Sequence, residues 1–129
     1  MEFVKSFVAF TMATINIDGK ADRSEYNSLM RVAKELNIDT DLVKDLIQKE
    51  LNDPTMLEEL NIDLLSYEER VAIYKACVEI ILSDEELAIS EISAVNYVSR
   101  LLCLQEEFCT IHLISCVKNK EKINIVSAL

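Results

Sequence analysis

Apolar residues recur at the helical period along most of this chain, in blocks broken by short polar stretches. Phe3, Val4, Phe7, Val8, Phe10 and Ile15 cover most of a helix surface between residues 2 and 16, predicting a helix buried nearly all round. Asp18-Gly19 ends it, because glycine accepts the left-handed conformation that closes a helix. A second helix is expected from Asp22, whose side chain caps the first turn while Glu25 reaches back to complete a capping box. Tyr26, Leu29, Met30, Val32, Ala33 and Leu36 form its inward stripe. Asn37 to Thr40 breaks the pattern, and Asp41 to Leu51 predicts a third helix facing inward through Leu42, Val43, Leu46 and Ile47. Asn52-Asp53-Pro54 stops that helix, with Pro54 expected to open a short one running to Leu60. Asn61 to Leu65 reads as a connection.

Ser66-Tyr67-Glu68-Glu69 is a further capping box and opens a second nearly all-apolar helix, to about Leu82, carrying Val71, Ile73, Tyr74, Cys77, Ile80 and Ile81. An acidic loop at Asp84 follows, then a helix from Ser90 to Cys103 with Ile92, Val95, Val98, Leu101 and Leu102 inward. A last helix spans Glu106 to Val117. The tail 118–129, basic and then apolar, is expected to dock back on the body.

The two sets of blocks match when the second is laid over the first. Ile15 then falls on Ile81, Asp18 on Asp84, Ser24 on Ser90 and Glu25 on Glu91. Leu29, Val32, Leu36 and Ile38 fall on Val95, Val98, Leu102 and Leu104. Acids and core positions agree together without a gap, so the expectation is an all-α fold with an internal pseudo-twofold repeat. It is one domain over 1–129, with halves at about 1–52 and 66–117, the two apolar helices sharing a core. A length of 129 residues suffices to bury such a core, and a single glycine and a single proline leave few tight turns.

The formal charge of −10 argues against a nucleic-acid backbone or an anionic membrane as partner and suits cations, basic protein surfaces or plain solubility, the commonest reason for such a charge. The uncharged run Ser6 to Ile17 is too short to span a bilayer, and Glu2 offsets Lys5 where a signal peptide would be positive. A cytoplasmic location follows as the expectation. Cys77, Cys103, Cys109 and Cys116 show no C-x-x-C spacing and lie in apolar helical stretches, so reduced core thiols are expected.

The stretch Asp18-Gly19-x-Ala21-x-x-x-Glu25 behind an apolar helix resembles the signature of the tellurite-resistance TerB-like family. There the usual form is Ala-Asp-Gly, two residues, a small polar cap, two more and Glu. Ile17 replaces the Ala here, and Leu36-Asn37-Ile38 stands at the family's Leu-Gly-like break. The second copy, Ser83-Asp84-Glu85-x-Leu87-x-x-x-Glu91, keeps the acids, lacks the glycine and has Ala88 at the cap position. The resemblance covers roughly residues 1 to 117. It implies an all-helical domain with pseudo-twofold symmetry, a link to tellurite and other chemical stress, and acidic loops that bind divalent metal.

Asp18, Glu25, Asp84 and Glu91 are therefore the candidate metal residues, with Asp22 and Glu86 nearby. Carboxylate oxygens suit Mg²⁺ or Ca²⁺, with weak binding expected. The competing reading makes Asp22 and Glu25 helix caps and leaves the other acids solvated at helix N-termini, where anions are favourable. An EF-hand is excluded: counting from Asp18, position 3 is Lys20 and position 12 is Leu29. Cys109, His112 and Cys116 share a helix face and could form a soft-metal site with Cys103 or Cys77, although buried thiols and a hydrogen-bonded histidine fit the apolar setting better.

No catalytic constellation is evident: there is no Glu-x-x-His pair, no Gly-rich phosphate loop and no nucleophile placed beside the single histidine. Asn27-Ser28-Leu29 only faintly matches an acyl-carrier attachment site, and Ser28 falls inside a helix. The expected function is a non-enzymatic TerB-like binding or adaptor module in stress response, with weak divalent-cation binding by the paired acidic loops. The alternative is an acidic helical interaction domain that binds no metal and presents Glu58, Glu59, Glu68 and Glu69 to a basic protein. A third reading is a structural homodimer built on the C-terminal tail.

Overall fold

The computed structural model describes residues 2–15, 23–83, 86–119 and 124–126. Among them are six α-helices: α1 (Glu2–Ile15), α2 (Arg23–Glu35), α3 (Thr40–Asn52), α4 (Tyr67–Ile81), α5 (Ile89–Leu101) and α6 (Glu106–Lys118). The fold is all-α, joined by 3₁₀ turns at Met56–Glu59 and Ile62–Leu64. Pro54 does not open the first of these. Thr55 is its N-cap residue, its N–H donating to the Asp53 carbonyl at 2.8 Å, while the N–H of Met56 donates to the Glu50 carboxylate at 3.1 Å. The expected connection after Asn61 contains the second turn, capped by the Asn61 side chain.

The two most apolar faces, those of α1 and α4, pack on each other at the centre; α3 and α5 also lie on α1, and α2 and α5 on α4. Phe7, Phe10, Met12 and Ile15 meet Ile73, Tyr74, Ile80 and Ile81 in one buried cluster. Each such side chain contributes about 1.5–3 kcal/mol by leaving water. Two buried hydroxyls of α1 are answered within the helix: Thr11 Oγ1 donates to the Phe7 carbonyl at 2.6 Å and Thr14 Oγ1 to that of Phe10 at 2.9 Å. Tyr74 ties α4 to α6 by donating its hydroxyl to the Cys109 carbonyl at 2.9 Å. Outside the core, Arg31 bridges Glu35 and Glu79 at 3.1 and 2.8 Å and links α2 to α4, an exposed arrangement worth at most about 1 kcal/mol.

The capping box before α4 forms as the spacing predicts. Glu69 N–H donates to Ser66 Oγ at 3.1 Å, and Ser66 N–H donates to the Glu69 carboxylate at 2.9 Å. Helix boundaries recur at one constant displacement along the chain: α1 and α4 end at Ile15 and Ile81, α2 and α5 start at Arg23 and Ile89, and α3 and α6 span Thr40–Asn52 and Glu106–Lys118. Helices α2 and α5 also end alike. Asn37 and Cys103 are left-handed, with φ of 59° and 56°. The following N–H reaches back five positions each time, Ile38 to Ala33 at 2.9 Å and Leu104 to Ser99 at 3.0 Å, which is the Schellman closure. This corrects the expected end of α5. Cys103 lies beyond the helix and is exposed, so it is no core thiol.

In the tail, Asn124–Val126 forms a three-residue strand, β2, parallel to β1 (Glu86–Ala88), with Leu87 opposite Ile125. No helix among the described residues is long and apolar enough to cross a membrane.

Candidate functional site

Of the four sequence-derived metal residues, Asp18 and Asp84 lie outside the described residues, as do Asp22 and the side chain of Glu86. Glu25 and Glu91 each occupy the third position of a helix, α2 and α5. Glu25 is 7% exposed. Glu91 Oε1 accepts the N–H of Ala88 at 2.9 Å, so this carboxylate closes the first turn of α5 from within. Alanine at the cap position has no oxygen to return the bond, which leaves half a capping box. Among the described residues no three His, Cys, Asp or Glu side chains converge as a metal ion requires.

The cysteine and histidine face of α6 draws only partly together. Cys116 Sγ lies 3.4 Å from His112 Nε2, while the imidazole stacks on Phe108 with ring centres 6.2 Å apart and meets Tyr74 edge-on at 5.9 Å. Burial, with the charge of Lys75, holds the imidazole below its ordinary pKa, so it is neutral near pH 7. Cys77 is buried in the core and its thiol is pushed up to about 12. Burial raises Cys109 as well, and neither thiol is the thiolate that a soft metal or an electrophile requires.

A concave apolar surface lies elsewhere, over the outward side of α1. Three hollows of about 440, 310 and 340 Å³ adjoin there. Ala13 is shared by the first and second, Tyr97 by the first and third, and Leu57 by the second and third. They form one basin with α1 as floor, α5 as one wall, and the end of α3 with the Met56–Glu59 turn as the other. Small residues line it at the foot of both elements, Ala9 and Ala13 on α1 and Ala94 on α5. Its rims carry large apolar groups that water does not favour: Tyr97 is 55% exposed and Leu51 53%. Ser90 and Ser93 are the polar residues of the α5 side, and the buried Ser90 hydroxyl has no hydrogen-bond partner among the described residues.

The other side of the basin is acidic. Glu50 lines one hollow and Glu58 another. Partial burial, then the charges of Asp53 and Glu59, raise the Glu50 carboxyl above the usual range, against the lowering bond from Met56 N–H. Among the described residues neither Glu50 nor Glu58 has an ion-pair partner. Sequence periodicity left Tyr97 out of the inward stripe of α5, and a large outward aromatic was the available signal. The basin itself joins Ala13 to Tyr97, from opposite halves of the chain, which periodicity within one helix does not register.

Compared with known proteins, the chain matches no family, no curated protein and no solved structure.

Proposed function

We propose that this protein is a non-enzymatic binding or adaptor module that seats a protein partner in the basin around Tyr97. The observation that carries the reading is the basin: three adjoining hollows whose rims expose Tyr97 and Leu51. An apolar patch of that kind, bordered by polar residues, marks an interaction surface more often than a bare surface. The acidic balance favours a basic partner; Glu58, Glu59 and Glu68 are exposed on the same chain. Glu69, also on the acidic face, is half-buried and gives one oxygen to its capping box. The reading places the protein in the cytoplasm. Selection of a random peptide library on the protein tests it. Enriched peptides should lose binding to Tyr97→Ala; peptides that bind both proteins equally contradict the assignment.

A second reading rests on the helix boundaries that recur at a constant displacement, Ile15 with Ile81 and Arg23 with Ile89. Together with the Asp18-Gly19 stretch, this supports a TerB-like pseudo-twofold domain with a role in tellurite or other chemical stress. In it the loops bearing Asp18 and Asp84 hold corresponding places and bind Mg²⁺ or Ca²⁺ weakly, with Glu25 and Glu91 beside them. Calorimetric titration with either ion should give a weak heat that Asp18→Asn with Asp84→Asn abolishes. No heat, and no shift in melting temperature, removes the metal from the account.

A further inference from the structure

We infer that the occupant of the basin is an amphipathic helix with lysine or arginine beside its apolar face. The inference rests on the docking reading above and adds the partner's conformation and charge.

The shape favours a helix over an extended strand. A strand partner needs a free sheet edge to hydrogen-bond along. The basin instead has helices and a 3₁₀ turn around it, with their backbone bonds made internally. A helix brings its own satisfied backbone and needs only hollows for side chains at i, i+3, i+4 and i+7. Three hollows meeting at Ala13, Tyr97 and Leu57 offer such sockets. The small, partly exposed Ala13 of α1 leaves room for a second helix to lie close there, and the exposed Tyr97 and Leu51 stand at its flanks.

The charge fixes the rest. The polar groups on the α5 side are neutral hydroxyls, whereas the opposite side carries Glu50 and Glu58 with Asp53 and Glu59 close by. Covering this side with an apolar or acidic segment would strand carboxylates under it at high cost. A lysine or arginine beside the apolar stripe would pair with them as they lose water.

The test uses the full chain and three fluorescein-labelled peptides of roughly four helical turns. One carries Leu and Phe at the helical spacing with Lys and Arg beside them, the second has Glu in place of the basic residues, and the third is the basic peptide with central prolines. Fluorescence anisotropy is read for wild type, Tyr97→Ala and the pair Glu50→Gln with Glu58→Gln; glutamine at 50 keeps an acceptor for Met56 N–H. The basic helix should bind best, about tenfold or more weaker to Tyr97→Ala and weaker to the glutamine pair, with affinity falling as salt rises. If the acidic or proline peptide binds as well and still depends on Tyr97, the helix-and-charge inference is overturned while the basin reading stands. No binding by any of the three, or binding that Tyr97→Ala leaves unchanged, overturns both. Circular dichroism of the variants separates loss of the surface from loss of the fold.

Discussion

Asn37 and Cys103 stand just beyond the ends of α2 and α5, and each adopts the left-handed turn that follows its helix, with φ of 59° and 56°. Asparagine tolerates this conformation better than cysteine does, and glycine better than either. Cys103→Gly should therefore stabilise the protein by about 0.5–1 kcal/mol, and Asn37→Gly by less, because the added freedom of the unfolded chain offsets part of the gain. Urea unfolding midpoints give the comparison.

Glu91 separates a helix cap from a metal ligand. Its Oε1 accepts the Ala88 N–H, a role that glutamine fills without charge. Glu91→Gln should stay within about 0.5 kcal/mol of wild type, and Glu91→Ala should lose about 1 kcal/mol. A Glu91→Gln protein destabilised as much as Glu91→Ala would show that the charge, not the bond, is what matters there.

The contact of α1 with α4 carries the fold. Ile80→Ala empties a fully buried position and should cost about 2–5 kcal/mol. Ile111, 68% exposed on α6, should accept the same change within about 0.5 kcal/mol. Denaturant melts of the two variants check the contrast.

His112 gives the protein an acid-sensitive term. Its pKa in the folded state lies below the ordinary 6.5, so the unfolded chain binds the proton more readily. Stability from this residue is present above 6.5 and is lost as the pH falls from there toward the lower folded value. Between pH 7 and 5, wild type should lose more stability than His112→Gln. Equal slopes for the two proteins would contradict the shift.

Much of the fold was legible because the chain states it locally. Phe7, Phe10 and Ile15 on one helix and Ile73, Ile80 and Ile81 on another mark broad buried faces, with Lys75 and Glu79 left on the outer side of α4, and Ser66 with Glu69 marks a helix start by side-chain chemistry alone. The end of α5 was not legible, since Cys103 adopts a glycine-like conformation with no glycine to signal it. Pro54 misled for a related reason: it suits a first helical turn, yet the N–H of Met56 is claimed by Glu50, and the turn begins later. The basin was hidden because Ala13, Leu57 and Tyr97 belong to three separate segments and become neighbours only on folding. Glu91 was visible as an acid, but its bond to Ala88 depends on where the helix starts.

Hydrogen exchange read by mass spectrometry, with and without the basic amphipathic peptide, tests the docking basin most directly. Binding should slow exchange around Ala9 to Ala13, at the Met56–Glu59 turn and along Ser90 to Val98, and should leave α6 unchanged. Protection centred on α6, or none in these three segments at saturating peptide, would contradict the account.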